Sequence, residues 1–115
     1  MVFQFEHVGV DHGPYDKFEY VGLDLVVLKK SLNRWQVALA ERGWNSLYWN
    51  NHDQPRVVSR FGDDDPEHWR ASATALATVL HGMRGTPYVY QGEELGMTNY
   101  PFASGEDHRD LEAVN

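Results

Sequence analysis

Residues 44–60 read WNSLYWNNHDQPRVVSR, a strand-like apolar stretch followed at once by a dense run of polar side chains. Residues 47–49 are branched or aromatic, which suits a pleated, half-buried surface. Pro55 lacks a backbone donor and disfavours helical geometry at the residue before it, so we expect the strand to end near Asp53. The polar run therefore lies at the carboxyl end of a strand, where parallel α/β folds bind their ligands.

The polar run from Asn50 to Arg56 combines groups that suit a polyhydroxylated ligand. The carboxylate of Asp53 can accept hydrogen bonds from two neighbouring hydroxyls, the imidazole of His52 can donate to one of them, and amides can do both. A polar loop that merely caps the strand is the alternative for an isolated NHD triplet. The length of the whole run favours a binding site.

Periodicity on either side of this stretch predicts two further strands and two helices. Alternation indicates the strands, and apolar steps of three and four indicate the helices. They are the strands 2–7 and 86–91 and the helices 24–42 and 66–81. We expect Asp24 and Asp65 to be the helix N-caps, and Trp35 to lie in the core. The order strand, helix, strand, helix, strand predicts an α/β fold with parallel strands.

Parallel strands would bring the polar residues that follow each of them to one rim of the sheet. These residues are Glu6, His7, His52, Asp53, Gln91, Glu93 and Glu94. We expect Glu93 and Glu94 to cap backbone N–H groups of their own loop. We also expect the apolar residues of 57–61 to fold the loop after the central strand back onto the body.

Composition narrows the class of protein. The chain has 115 residues, enough for one domain, and a formal net charge of −7, which argues against nucleic acid and anionic membranes as partners. It has no cysteine, which fits the cytoplasm, and no apolar run near the roughly 20 residues that span a bilayer. The histidines form no metal-ligand motif, so we expect neither a metal nor a cofactor.

The run WNNHDQPRVVSRFG closely resembles the signature around the seventh barrel strand of α-amylase-type glycoside hydrolases (family 13), above all their oligo-1,6-glucosidase and α-glucosidase branch. MVFQFEH and GTPYVYQGEELGMTN resemble the sixth and eighth strands, in the same order and spacing. The resemblance implies that residues 1–97 are a partial (β/α)8 barrel of β-α-β-α-β order. It leaves 98–115 as a polar, poorly ordered tail.

The resemblance also implies a role for each site residue. Asp53 matches the carboxylate that holds two sugar hydroxyls while positive charge develops at the anomeric carbon. Five further residues match positions near the sugar or on the aglycone side: His52, Gln54, Arg56, Glu6 and His7. The implied substrate is a short α-glucoside oligosaccharide, hydrolysed with retention of configuration.

The nucleophile and the acid/base of such enzymes have no counterpart in this sequence. Retaining glycosidases need two carboxyl groups about 5–5.5 Å apart. The matching segments place the start of the chain just after the fifth barrel strand. We therefore expect the isolated chain to be inactive.

Other interpretations remain open from the sequence. Trehalose-6-phosphate hydrolase, sucrose isomerase and dextran glucosidase share these motifs. Outside enzymes, the barrel of amino-acid transporter heavy chains is similar, and a small domain that only binds sugar or protein is a further alternative. A slice of barrel also leaves strand edges and a helix-free face open, with Phe3, Phe5, Leu47 and Val89 near the surface. We therefore expect a homo-oligomer or a swapped dimer.

Overall fold

The computed structural model describes residues 1–15 and 19–103. Within them, three short strands form a parallel sheet in the order β1-β2-β3. The strands are β1 (Val2–Phe3), β2 (Asn45–Leu47) and β3 (Thr86–Pro87). Val2 pairs with Asn45, and Ser46 pairs with Thr86. The predicted α/β fold with parallel strands is confirmed.

Helices connect these strands. The described residues contain the helices α1 (Leu25–Ala38), α2 (Val57–Phe61) and α3 (Trp69–Gly82). Short 3₁₀ helices follow β1 and β3, at Glu6–Gly9 and Glu93–Leu95. The two long helices lie close to the predicted ranges, whereas α2 was expected only as a loop.

The core lies on one face of the sheet, between β2 and the helices. Its buried apolar side chains come from α1, β2 and the residues just after it, α2, and α3: Leu28, Leu47, Trp49, Val57, Val58 and Leu80. Burial of such a side chain contributes about 1.5–3 kcal/mol. The Trp49 indole also donates to the Leu76 carbonyl at 2.9 Å, which ties the end of β2 to α3.

The expected cap of the first helix is confirmed. Asp24 is the N-cap of α1, and its carboxylate accepts hydrogen bonds from the backbone of Val26 at 2.7 Å and Val27 at 3.3 Å. The helix ends at Ala38, short of the predicted residue 42. Trp35 is half-buried and donates to Glu6 at 2.9 Å, and it is not one of the described residues that pack against the core, so its expected core position is not confirmed.

The strands are shorter than predicted, because side chains take the place of the backbone hydrogen bonds between neighbouring strands. β2 ends at Leu47 and not near Asp53. His7 lies in a 3₁₀ helix, and its imidazole donates to the Tyr48 carbonyl at 2.8 Å, a position that a neighbouring strand would otherwise fill. On the other side, β3 is bonded to β2 by one further backbone hydrogen bond after Pro87, from Tyr88 N to the Leu47 carbonyl at 2.7 Å.

Two further expectations need correction. The helix expected at Pro66 begins at Trp69, because Asp65 caps a turn before it: its carboxylate accepts from Glu67 N at 2.9 Å. Leu47 is only 4% exposed, because it faces the helices. The other apolar residues expected at open surface are indeed exposed: Phe3, Phe5 and Val89.

Among the described residues, no helix is both long enough and apolar enough to cross a membrane. Residues 98–103 contain neither helix nor strand. The rest of the expected tail, residues 104–115, lies outside the described part of the chain.

Candidate functional site

A tight turn presents the central polar residues after β2. The backbone N–H of Asp53 donates to the Asn51 side-chain oxygen at 2.8 Å, and that of Gln54 donates to the Asn51 carbonyl at 3.4 Å. Asparagine favours such turns because its side chain can bond the backbone two residues further on. Asn51 therefore fixes the direction in which His52 and Asp53 leave the sheet.

His52 and Asp53 form an exposed pair at the tip of this turn. The His52 Nε2 atom lies 3.3 Å from Asp53 Oδ1, and the side chains are 82% and 67% exposed. A side-chain contact this exposed contributes at most about 1 kcal/mol to stability. The pair is free to bind a ligand, and its donor and acceptor groups suit adjacent hydroxyls.

Arg56 connects the turn to the loop after β3. Its guanidinium donates to the Gln91 carbonyl at 2.5 Å and lies 5.0 Å from the centre of the Tyr90 ring. The backbone N–H of Arg56 donates to the side chain of Asn99 at 2.7 Å. The loops after β2 and β3 are thus held side by side at the carboxyl end of the sheet.

Glu93 lies beneath these loops and is partly buried. Its carboxylate accepts from Asn50 Nδ2 at 3.0 Å and from Tyr90 N at 3.4 Å, and burial raises the pKa of Glu93. Glu94 accepts from Gly92 N at 2.8 Å. The prediction that both glutamates cap their own loop is confirmed. The buried Oδ1 of Asn50 has no hydrogen-bond partner among the described residues.

Glu6 and His7 contact other elements. Glu6 accepts from Trp35 Nε1 at 2.9 Å and pairs with Arg34, so its side chain is bound to α1. His7 is 1% exposed, and its second ring nitrogen lies 2.7 Å from Gln4 Nε2. Substrate binding by these two residues stays a prediction, and in this structure His7 has no ring nitrogen left for a ligand.

The protonation of His7 follows from its partners. The Tyr48 carbonyl can only accept, so Nε2 carries the proton and Nδ1 accepts from Gln4. Burial lowers the pKa of His7 to about 4, with the Arg60 charge acting in the same direction. His7 is therefore neutral near pH 7.

A buried polar cluster beside the turn was not predicted. Arg60, on α2, donates to Asp11 and to Gln54 Oε1, the latter at 2.5 Å. Asp11 follows β1 and is 1% exposed. Nothing in the sequence linked Asp11 to Arg60, because they are 49 positions apart, one in an irregular turn and the other in a helix too short to show a period. Only covariation between homologues could have found the pair.

A metal site finds no support in residues 1–15 and 19–103, where no three His, Asp or Glu side chains form a group that could hold an ion.

The whole chain matches a model of the α-amylase catalytic domain, over residues 1–115. It is 61% identical to the oligo-1,6-glucosidase of Halalkalibacterium halodurans, over all of this chain and 20% of that protein. Two solved structures are similar, each with a TM-score of 0.89 over 96% of this chain and 20% of the other. They are trehalose-6-phosphate hydrolase of Bacillus licheniformis, 47% identical, and an isomaltulose synthase mutant of Erwinia rhapontici in complex with sucrose, 40% identical.

The chain thus spans about a fifth of the length of these relatives. A family match over every residue and an identity above half leave no doubt about descent, and the resemblance seen in the sequence is confirmed. This chain belongs to the α-amylase family of glycoside hydrolases and is a part of its catalytic domain.

Proposed function

We propose that this chain forms the sixth to eighth strands of the catalytic barrel of a retaining α-glucosidase of the oligo-1,6-glucosidase type. Asp53 supplies the carboxylate that stabilises the transition state. The observation that carries the proposal is the exposed His52–Asp53 pair at the carboxyl end of the central strand. The close relationship to oligo-1,6-glucosidase supports the reaction class.

The geometry suits this role in three ways. The carboxylate of Asp53 is 67% exposed and can accept from two hydroxyls of one sugar. His52, beside it, can donate to one of the same oxygens. Arg56 holds the loop after β3 against the turn, so the site has a wall on that side. Preorganised groups of this kind stabilise charge that develops in a transition state.

The isolated chain does not catalyse hydrolysis under this proposal. A retaining mechanism needs a nucleophile and an acid/base in addition to Asp53. Both must come from the other strands of the barrel. Purified chain should give no turnover of an aryl α-glucoside, and turnover that Asp53→Asn abolishes would contradict the proposal.

A graft tests the proposal directly. In this experiment, the matching segment of the H. halodurans oligo-1,6-glucosidase is replaced by this chain, which is 61% identical to it. We expect the graft to hydrolyse isomaltose, and Asp53→Asn to lower kcat by about a hundredfold or more. The matched control is Asp64→Asn, at an exposed aspartate outside the site. An active graft that Asp53→Asn leaves unaffected would contradict the role of Asp53.

The likeness to trehalose-6-phosphate hydrolase supports a second substrate, at 47% identity. The same graft distinguishes the two. Isomaltose and trehalose 6-phosphate are offered in parallel, and the ratio of kcat/KM values is compared with that of the unmodified host. We expect the host's preference for isomaltose to be kept. A change of preference towards the phosphorylated sugar would favour the second substrate.

A further inference from the structure

Arg60 joins three segments at the carboxyl end of the sheet. Its Nε donates to Asp11 Oδ2 at 2.7 Å, and its Nη2 donates to Asp11 Oδ1 and, at 2.6 Å, to the Val8 carbonyl. Its Nη1 donates to Gln54 Oε1 at 2.5 Å. The segment after β1, the turn after β2 and helix α2 therefore meet on one guanidinium.

The burial of this cluster makes its geometry rigid. The side chains of Arg60 and Asp11 are 8% and 1% exposed. A two-pronged pairing between guanidinium and carboxylate fixes both distance and plane. Burying such a pair is a weak source of stability, because desolvation offsets most of the attraction. Its geometry is therefore the better clue to its role.

We propose that Arg60 is a positioning residue of the candidate site. It is anchored by Asp11 and holds Gln54, and Gln54 belongs to the same turn as His52 and Asp53. The arginine thus sets the height of that pair above the sheet without touching the sugar. The effect on catalysis rests on the proposed function, whereas the effect on the turn does not.

The assignment changes the expected role of Gln54. Arg60 occupies one lone pair of its side-chain oxygen, so its amide donors and the second lone pair are left for a ligand. Lysine cannot replace Arg60, because a single ammonium group lacks the planar fork that reaches Asp11, Val8 and Gln54 together.

The test in the grafted enzyme is Arg60→Lys. We expect kcat to fall by about tenfold to a hundredfold, because a small misplacement of a catalytic group has effects of that size. We expect KM to change by less than about threefold, because Asp53 acts mainly in the transition state. Asp11→Asn should have the same signature. The double variant should be far less impaired than the product of the two effects.

The matched control is Arg84→Lys. Arg84 also donates to backbone carbonyls, that of Leu39 at 2.9 Å among them, but it lies at the amino end of the sheet. We expect a lower Tm with unchanged kcat. A purely structural Arg60 would behave in the same way, and an unchanged kcat per folded molecule in Arg60→Lys would overturn the proposal.

Amide NMR spectra of the 115-residue chain test the positioning role of Arg60 without relying on catalysis. Arg60→Lys should move the amide signals of His52 and Asp53, and Arg84→Lys should not. An inactive graft with these shifts present would refute the proposed function and leave the positioning role standing. Absence of the shifts would refute the positioning role.

Discussion

His7 shows how one buried side chain can shape the rim of the sheet. Its ring lies 4.7 Å from the Tyr48 ring, centre to centre, and its Nε2–H donates to the Tyr48 carbonyl. The Tyr48 hydroxyl in turn donates to the Gln4 carbonyl at 2.8 Å, and burial raises the pKa of Tyr48 to about 12. These reciprocal bonds replace strand pairing beyond β1. His7 must stay neutral for its Nδ1 to accept the hydrogen bond from Gln4 Nε2.

This requirement predicts a pH dependence of stability. The pKa of His7 is lowered to about 4 in the folded chain from an ordinary 6.5, so the unfolded chain binds the proton more tightly. Stability should therefore be complete above pH 6.5 and decline as the pH falls towards 4, by up to about 3 kcal/mol. Urea unfolding at several pH values measures the decline. His7→Gln should flatten it, and equal slopes in both proteins would contradict the prediction.

The raised pKa of Glu93 predicts a pH dependence of stability with the opposite sign. Burial raises its pKa, so the folded chain favours the protonated form and loses stability as the pH rises through the raised value. The hydrogen bonds from Asn50 and Tyr90 oppose this effect most, with smaller contributions from His81 and Arg56. Glu93→Gln should raise Tm at pH 7, and the gain should vanish in acid. Glu94→Gln, at the exposed neighbour, is the control, and an equal gain there would argue against burial as the cause.

At the residue scale, functional residues that are neighbours in the sequence can be predicted from it. Residues whose role depends on a partner far away in the sequence cannot. His52 and Asp53 stand next to each other after a strand, so their proximity needs no knowledge of the fold. Asp11 and Arg60 come together only because two loops and α2 converge. Glu6 faces α1, which alternation in a two-residue strand could not reveal.

At the scale of the element, α1 depends on its first turn. Asp24 satisfies two backbone N–H groups that the helix itself cannot bond. Asp24→Ala should lower the free energy of unfolding by about 1 kcal/mol, whereas Asp24→Asn, which keeps the acceptor, should cost only a few tenths. Chemical denaturation of the two variants measures the difference. Equal losses would point to charge and not to capping.

The long helices were predictable and the short elements were not. α1 and α3 each extend over 14 residues, enough for apolar steps of three and four to repeat. α2 has five residues, too few to show a period, and its Val57–Val58 pair favours a strand locally. Burial of both valines against the core outweighs that preference. The predicted strand lengths were wrong for a related reason: the side chains of His7 and Gln4 bond backbone groups that a longer strand would pair.

At the scale of the whole molecule, the sheet has helices on one face only. On the opposite face, aromatic rings pack on one another: Phe3 lies 4.9 Å from Tyr88 and 5.9 Å from Tyr48, and Phe5 lies 5.9 Å from Tyr48. Tyr48 is buried among them, whereas the other three rings are exposed. Within the described residues, β1 and β3 each have a single neighbour, so each leaves one edge open. The chain spans about a fifth of its relatives, so the rest of such a barrel would cover both features.

The last prediction is that the chain, when alone, associates with itself through this aromatic face. Phe3 and Phe5 are 50% and 63% exposed, and open strand edges and apolar patches both promote association. Sedimentation at tens of micromolar should show dimers or larger species. Phe5→Lys should raise the concentration needed for association by about tenfold, because a charge would have to be buried in the contact.

Tyr15→Lys provides the control for this experiment. Tyr15 is 95% exposed and lies in the loop after β1, outside the three strands, so the substitution alters charge and apolar surface to a similar degree. Association that both variants weaken equally would reflect net charge and not the aromatic face. A single monomeric species at every concentration would mean that the open face is tolerated in water. Association that only Phe5→Lys weakens would identify the aromatic face as the contact surface.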